Sequence, residues 1–195
     1  MSPNSGLEAP VTPTEDEDTT LAIRASKGES GAFGLLYDRH VAAIYRYVYY
    51  RVRDDAEAED LTSDVFMRAL KAMPRYEPRQ AFLAWLYRIA RNAVIDRARK
   101  GNRQLSFEDA LKHPDADHVV EPDAEVVAHS DSLSLRRAIA KLTPLQQEVV
   151  VLRYLEGFST VEIAKIVGKR EGTVRGIQFR AIGALRLLLP TREAL

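Results

Sequence analysis

The sequence contains no cysteine, and this absence excludes two kinds of protein. Disulfide-stapled secreted domains need cysteine, and so do zinc modules with thiolate ligands. No apolar run approaches the roughly 20 residues that a membrane-spanning helix needs. The first residues also lack the basic-then-apolar layout of a secretory signal. We therefore expect a cytoplasmic protein without membrane insertion.

A net charge is also lacking, since 28 basic residues balance 28 acidic ones. The balance hides an uneven distribution. Residues 1–20 carry five acids and no base, and residues 104–134 carry eight acids and one base, Lys112. The rest of the chain then holds 27 bases against 15 acids. Two basic blocks are thus preceded and separated by acidic segments, which favours a polyanionic partner for the blocks.

The periodicity of apolar residues divides the chain in the same way. Residues 1–18 are rich in Pro, Ser, Thr and acid, which predicts a disordered tail. The tail is either a passive solubilising segment or a competitor of DNA for the basic surfaces. Residues 19–103 and 132–190 show helical periodicity, whereas residues 104–131 lose it. The sequence predicts an all-α protein with two small helical domains joined by a flexible acidic linker.

The first domain is predicted to contain four helices. A short one spans 19–27 and ends at Gly28, and a second begins at Ser30 with Tyr37 among its inward residues. A third spans about 56–73, with Leu70 on its inward face. This helix carries six acids near its start: Asp54, Asp55, Glu57, Glu59, Asp60 and Asp64. The helix dipole favours acids there, but six exceed what capping requires, so an acidic docking face is an equal alternative.

A fourth helix, at about 80–100, combines a basic face with aromatic residues near one end. This combination suits a nucleic-acid backbone together with unstacked bases. The alternative is that Phe82 and Trp85 are simply core residues, which is the better interpretation for at least one of them.

The segment 142–189 has the pattern of a helix-turn-helix. Apolar residues recur at Ile163, Val167, Val174 and Ile177, which lets one helix pack across the other. Gly168 occupies the turn, where a positive φ is needed. Lys169 stands where an apolar residue is usual. Basic residues follow on the second helix, which indicates a DNA-binding face.

Three histidines of the linker lie among carboxylates, at positions 113, 118 and 129. Their spacing fits no compact ligand set, so we predict no metal site and no cofactor.

Four stretches together resemble the extracytoplasmic-function (ECF) type of bacterial RNA polymerase sigma factor, in the sigma-70 family. They are Ala32 to Tyr37, the run DLTSDVF at 60–66, the run FLAWLYRIARN at 82–92, and GTVR at 172–175. The resemblance implies a region 2 bundle and a region 4 helix-turn-helix. It also implies a non-enzymatic initiation factor whose partners are core RNA polymerase, promoter DNA and, as a candidate, an anti-sigma protein.

The resemblance further implies roles for individual residues. Asp60, Ser63 and Asp64 would dock on the clamp of the polymerase's largest subunit, and region 4 would meet the flap of the second-largest subunit. The family more often has Gln and Glu at the last two positions. The loop from Tyr76 to Ala81 would shape a pocket for a flipped base of the −10 element. The residues implied for this single strand are Tyr76, Trp85, Arg88, Arg91 and Asn92.

For the −35 duplex the implied residues are Arg170, Thr173, Arg175, Gly176, Gln178, Phe179 and Arg180. Gly176 and Ile177 replace the Ser and Arg that are common in the family. We therefore expect fewer direct base hydrogen bonds and more reliance on groove shape and phosphate contacts.

Two other functions are compatible with parts of the sequence. A response-regulator-like transcription factor would use only the C-terminal helix-turn-helix and would bind duplex DNA without polymerase. An enzyme acting on nucleic acid could hold Mg²⁺ with the acids of the third helix. No nucleophile–base pair or phosphate-binding loop accompanies those acids, which argues against the enzyme.

Overall fold

The computed structural model describes residues 15–52, 54–78, 81–108 and 128–189, and all regular structure in these ranges is helical. Four helices form the N-terminal block: α1 (Glu15–Ser26), α2 (Ser30–Val52), α3 (Asp55–Ala72) and α4 (Phe82–Glu108). A short 3₁₀ turn, Met73–Arg75, follows α3. Four more form the C-terminal block: α5 (Ala128–Ala140), α6 (Pro144–Val150), α7 (Thr160–Val167) and α8 (Glu171–Leu188). The predicted all-α fold is confirmed.

Helix α1 begins four residues earlier than the sequence pattern indicates. The segment 15–18 was expected to belong to the disordered tail, but it is helical, and Asp18 is only 5% exposed. Asp18 is stabilised in this helix by a partner on α2: its Oδ2 lies 2.7 Å from His40 Nε2. Residues 1–14 of the predicted tail lie outside the described residues.

The segment predicted as a linker is also shorter than expected. Helix α4 continues to Glu108 and α5 begins at Ala128, so 104–108 and 128–131 are helical. Residues 109–127, with His113 and His118, lie outside the described part of the chain.

The α1–α4 bundle is organised around side chains that are fully removed from solvent. Asp54 starts α3 as its N-cap, accepting a hydrogen bond from the Glu57 amide at 2.7 Å. The inward faces of α2 and α3 largely follow the predicted periodicity, but Tyr37 and Leu70 are exposed. The fully buried large side chains of this block are Leu36, Ile44, Tyr47, Val48, Met73, Phe82, Leu86 and Tyr87.

The helix-turn-helix is formed by α7 and α8 as predicted. Ile163, Val167, Val174 and Ile177 are all buried between the two helices and the rest of the block. Gly168 has φ +67°, the left-handed conformation expected of the turn. Ser159 caps α7 by a reciprocal capping box with Glu162, whose carboxylate accepts from the Ser159 amide at 2.7 Å.

One irregular element was not predicted. Directly after α6, residues Val151–Leu155 form a wider π-helical turn, closed by the Glu156 amide on the Val151 carbonyl at 3.1 Å. Gly157 follows with φ +78°, a left-handed conformation that glycine adopts readily.

The two blocks are in contact with each other. Helix α2 contacts α5 and α6, and α4 contacts α7. Among the described helices, none is long and apolar enough to be a candidate membrane span.

Candidate polymerase-docking and nucleic-acid interfaces

The three residues implied for polymerase docking share one exposed face of α3. Their spacing of three and four residues places Asp60, Ser63 and Asp64 side by side on the helix. Asp60 and Ser63 are exposed, and the Asp64 side chain is 44% exposed. Asp64 forms an ion pair with Arg68 at 2.8 Å, and Arg68 also binds Asp96 of α4 at 3.0 Å. The structure thus brings the three predicted residues together.

Other acids of α3 have structural roles. Asp54 is the N-cap, and Glu57 binds Arg97 of α4 at 2.5 Å. Asp55 accepts a hydrogen bond from the Tyr45 hydroxyl at 3.4 Å. Capping and packing therefore account for half of the six acids, and the exposed Glu59 and Asp60 belong to the surface.

The aromatic residues implied for the −10 strand form a buried cluster. Trp85 and Tyr76 are 8% and 7% exposed, and their ring centroids lie 5.2 Å apart in an edge-to-face arrangement. Phe82 completes the cluster at 5.6 Å from Trp85. The alternative interpretation of Phe82 and Trp85 as core residues is confirmed. Tyr76 and Trp85, the predicted pair, offer little surface to a base here, because both side chains are buried in this cluster.

The polar residues implied for the same strand lie farther along α4. Arg88 and Asn92 are exposed, one helical turn apart. Arg91 is different, because its side chain is only 24% exposed and its Nε lies 2.9 Å from Glu148 Oε1 of the C-terminal block. The N–H direction does not satisfy hydrogen-bond geometry, so the contact is ionic.

The residues implied for the −35 duplex lie on α8 and its N-cap, Arg170. Arg170, Thr173, Arg175, Phe179 and Arg180 are exposed. Phe179 is 83% exposed, which is unusual for so large an apolar side chain. Arg175 pairs with Glu171 one turn earlier while remaining 70% exposed. Gly176 is half-buried and lies beside the Arg180 guanidinium.

Gln178 does not share this face. It lies next to the buried stripe of Val174, Ile177 and Ala181, and its Nε2 is buried without a hydrogen-bond partner in the described structure. The prediction that Gln178 lies on the same face as the basic residues is therefore wrong. Because successive residues of an α-helix are 100° apart, Gln178 faces the core side of α8.

Two carboxylates that the sequence analysis did not single out connect the blocks. Glu148 of α6 and Glu156 after the π-helical turn have side chains that are each 3% exposed. A sequence signal existed for Glu148, an acid directly before the apolar run VVVL. Buried acids are rare without partners, so such a position predicts a paired charge.

Each carboxylate is met by one tyrosine and by arginine from the N-terminal block. The Tyr47 hydroxyl donates to Glu148 at 3.1 Å, and the Tyr87 hydroxyl donates to Glu156 at 2.8 Å. Arg46 binds Glu156 through two nitrogens, at 2.7 and 2.8 Å. Burial, with the adjacent carboxylate, raises the pKa of both phenols above their ordinary value of 10.0. Both tyrosines therefore remain O–H donors at neutral pH.

Comparison with known proteins identifies both blocks. The model of Sigma-70 region 2 matches residues 36–104, and that of Sigma-70 region 4 matches residues 132–185. ECF RNA polymerase sigma factor BldN of Streptomyces coelicolor is 41% identical over 185 residues, which cover 91% of this chain and 69% of BldN. ECF RNA polymerase sigma factor SigX of Bacillus subtilis is 32% identical, over 79% and 81% of the two chains. The chain belongs to the ECF sigma factors.

Solved structures of sigma factors share this fold. CnrH, in complex with the cytosolic domain of CnrY, matches with a TM-score of 0.69 and 26% identity over 89% of this chain and 97% of CnrH. RpoE of Bartonella quintana, in complex with the anti-sigma factor NepR, matches with a TM-score of 0.71 and 25% identity over 83% and 98%. This ECF sigma factor is a transcription initiation factor, and the alternative of a response-regulator-like protein is not favoured, because region 2 has no place in it.

Proposed function

We propose that this sigma factor docks on core RNA polymerase through Asp60, Ser63 and Asp64 and directs the enzyme to promoters that it reads at −35 and −10. It acts in the cytoplasm, has no catalytic activity of its own and needs no cofactor. Region 2 spans about residues 19–103 and region 4 about 132–190. The clamp of the largest polymerase subunit receives region 2, and the flap of the second-largest receives region 4.

The observation that carries the proposal is the pairing of two exposed faces of different character in one chain. The α3 face presents acids, which suit a basic protein surface. The α8 face presents arginines with an exposed phenylalanine, which suit a DNA groove. Core docking and DNA binding thus have separate surfaces, as a bridging subunit requires.

At −10, the exposed Arg88 and Asn92 of α4 supply the first contacts to the non-template strand. Flipping a base out of the duplex costs a few kcal/mol, which contacts to the flipped base and the backbone must offset. Tyr76, Phe82 and Trp85 form a buried cluster, which supports the loop that begins at Tyr76. This cluster forms the floor of the pocket. The sigma factor captures bases that open thermally, so melting needs no ATP.

At −35, Arg175, Phe179 and Arg180 enter the major groove. Gly176 has no side chain to read a base edge, and Gln178 is turned toward the core side of α8. Specificity therefore depends on few direct base contacts, supported by phosphate contacts from Arg170 and Thr173 at the start of α8.

The connection between the regions makes weak contacts additive. Once one region is bound, the tether keeps the other at a high local concentration, so that two modest affinities give a useful total. Because CnrH and RpoE were solved with CnrY and an anti-sigma factor respectively, we also propose an anti-sigma protein as a partner that keeps this sigma factor inactive.

Reconstituted transcription tests the proposal. Purified core RNA polymerase is incubated with this protein and a library of promoter fragments from its own genome, and transcripts are sequenced. We expect initiation at a defined promoter set that core polymerase alone does not use. No initiation at any fragment, with a second sigma factor active in the same preparation of core, would contradict the proposal.

A further inference from the structure

Arg68 lies between two carboxylates that belong to different helices. Its Nη2 is 2.8 Å from Asp64 Oδ2 on α3, and its Nη1 is 3.0 Å from Asp96 Oδ2 on α4. The three side chains together carry two negative charges and one positive charge, a net charge of −1. All three are partly exposed, so a protein that docks on α3 can reach them.

Asp96 changes how strongly Arg68 neutralises Asp64. Asp64 and Arg68 are four residues apart on α3, so they can form an ion pair without any other helix. A guanidinium that has one carboxylate to itself can bind it through two parallel hydrogen bonds. Here Nη1 donates to Asp96 instead, and Arg68 reaches Asp64 through Nη2. The negative charge of Asp64 is therefore only partly offset by Arg68.

The cluster lines a cleft of about 230 Å³ between α3 and α4, beside the docking face. Four acids and three bases line this cleft, so the acids are in excess by one. Arg97 of α4 does not replace Arg68 as the partner of Asp64, because it is bound to Glu57 at 2.5 Å. Without the charge of Asp96, the charges of the cleft would cancel.

This excess charge matters when a partner covers the cleft. Docking removes water, and a charge taken out of water is costly unless an opposite charge balances it. A basic side chain from the partner brings the cleft from one excess acid to neutrality. If Asp96 were neutral, the same basic side chain would enter a neutral cleft and leave one positive charge unbalanced.

We propose that Asp96 is a positioning residue for polymerase docking: it binds one nitrogen of Arg68, so that Asp64 keeps negative charge for a basic side chain of the clamp. The proposal rests on the proposed docking role of Asp60, Ser63 and Asp64. Asp96 acts through Arg68 and needs no contact of its own with polymerase.

Dissociation constants of the full chain with purified core polymerase test the proposal, and Asp64→Asn sets the scale. We expect Asp96→Asn to weaken binding about as much as Asp64→Asn does, because Arg68 then neutralises Asp64. Arg68→Gln alone should not weaken binding. Asp96→Asn with Arg68→Gln should restore the affinity of the unchanged protein, because Asp64 is free again and the cleft regains one excess acid.

Two other roles of Asp96 give different results. If Asp96 only ties α4 to α3, Arg68→Gln breaks the same contact, so both single variants weaken binding and the double variant does not recover it. If Asp96 touches polymerase directly, Asp96→Asn weakens binding whether or not Arg68 is present. Either result overturns the proposal.

A matched control removes the acid of another exposed ion pair of region 2. Glu29 pairs with Arg24, and Glu29→Gln should leave the affinity unchanged. A loss equal to that of Asp96→Asn would indicate a general effect of charge and would also overturn the proposal. Circular dichroism and the unfolding midpoint of every variant establish that the helices persist.

The same measurements separate the two proposals. Normal binding of core polymerase by Asp64→Asn contradicts the proposed docking residues and the role of Asp96 with them. Binding that is weakened by Asp64→Asn and unchanged by Asp96→Asn contradicts the role of Asp96 alone.

Discussion

His40 of α2 contacts α1 and α4, and charges of both signs lie beside it. Its Nε2 is 2.7 Å from Asp18 Oδ2, and Arg39 binds the other oxygen of that carboxylate at 3.1 Å. The Phe82 ring of α4 is 5.8 Å away. Burial lowers the pKa of His40 below its ordinary value of 6.5, and it outweighs the opposing effect of Asp18. The neutral ring is therefore the form that the folded protein prefers.

This preference predicts how stability depends on pH. The unfolded chain binds a proton at His40 more readily than the folded one, so stability from this site is present above pH 6.5 and is lost as the pH falls below it. His40→Gln should retain the hydrogen bond to Asp18 and remove the titration. Unfolding midpoints at pH 8.0 and about 5.5 measure the difference. An equal loss in both proteins would contradict this assignment.

We predict that −35 specificity depends most on Arg175. Its side chain is 70% exposed on the outer face of α8, and its pairing with Glu171 orients it along that face. If it reads a base edge, Arg175→Ala costs about 1–3 kcal/mol of discrimination at one base pair. Binding of polymerase holoenzyme to promoters with single −35 substitutions measures this, with exposed Arg24→Ala as the control. A uniform loss across all sequences would indicate a phosphate contact instead.

At the scale of elements, the turn of the helix-turn-helix depends on Gly168. At its φ of +67° an added Cβ meets no atom within 4 Å, so only the backbone conformation opposes a side chain. Gly168→Ala should cost about 1–2 kcal/mol of unfolding free energy. Gly183→Ala in α8, also with free space, should instead stabilise by about 0.4–1 kcal/mol. Urea denaturation compares the two, and equal effects would contradict a role for the turn conformation.

The residues predicted to dock on core polymerase lie on helix α3. Reversing its charge with Asp60→Lys and Asp64→Lys should abolish binding to core polymerase and leave binding of isolated −35 duplex unchanged. Glu29→Lys, another exposed acid of region 2, should leave both intact. Polymerase pull-down and a duplex titration measure the two activities. Normal core binding by the double variant would show that the docking surface lies elsewhere.

Which elements the sequence could predict depends on how local their causes are. The turn at Gly168 and the stripe of α7 and α8 follow from residues a few positions apart, and both were predicted correctly. The start of α1 was predicted wrongly, because Asp18 is stabilised by His40, 22 residues away. Gln178 was misplaced for a simpler reason: its residue type suits DNA, but its angular position on α8 does not.

At the scale of the whole molecule, the contact between the regions could not be predicted from the sequence pattern. Tyr47 and Glu148 are 101 residues apart, and Arg46 and Glu156 are 110 apart. Periodicity can show that a tyrosine faces inward, but it cannot show which distant carboxylate meets it. The family resemblance predicted both regions and their polymerase and DNA partners. The contact between the two regions could be seen only in the structure.

As an initiation factor, this one chain must provide both polymerase docking and strand opening. The most direct test is permanganate reactivity of non-template thymines in the −10 element, on a promoter found by reconstituted transcription. With core polymerase and this protein, without ATP, we predict that these thymines become reactive, and that neither component alone produces the reactivity. Thymines that stay unreactive in the assembled complex, or that react only when ATP is hydrolysed, would contradict the account.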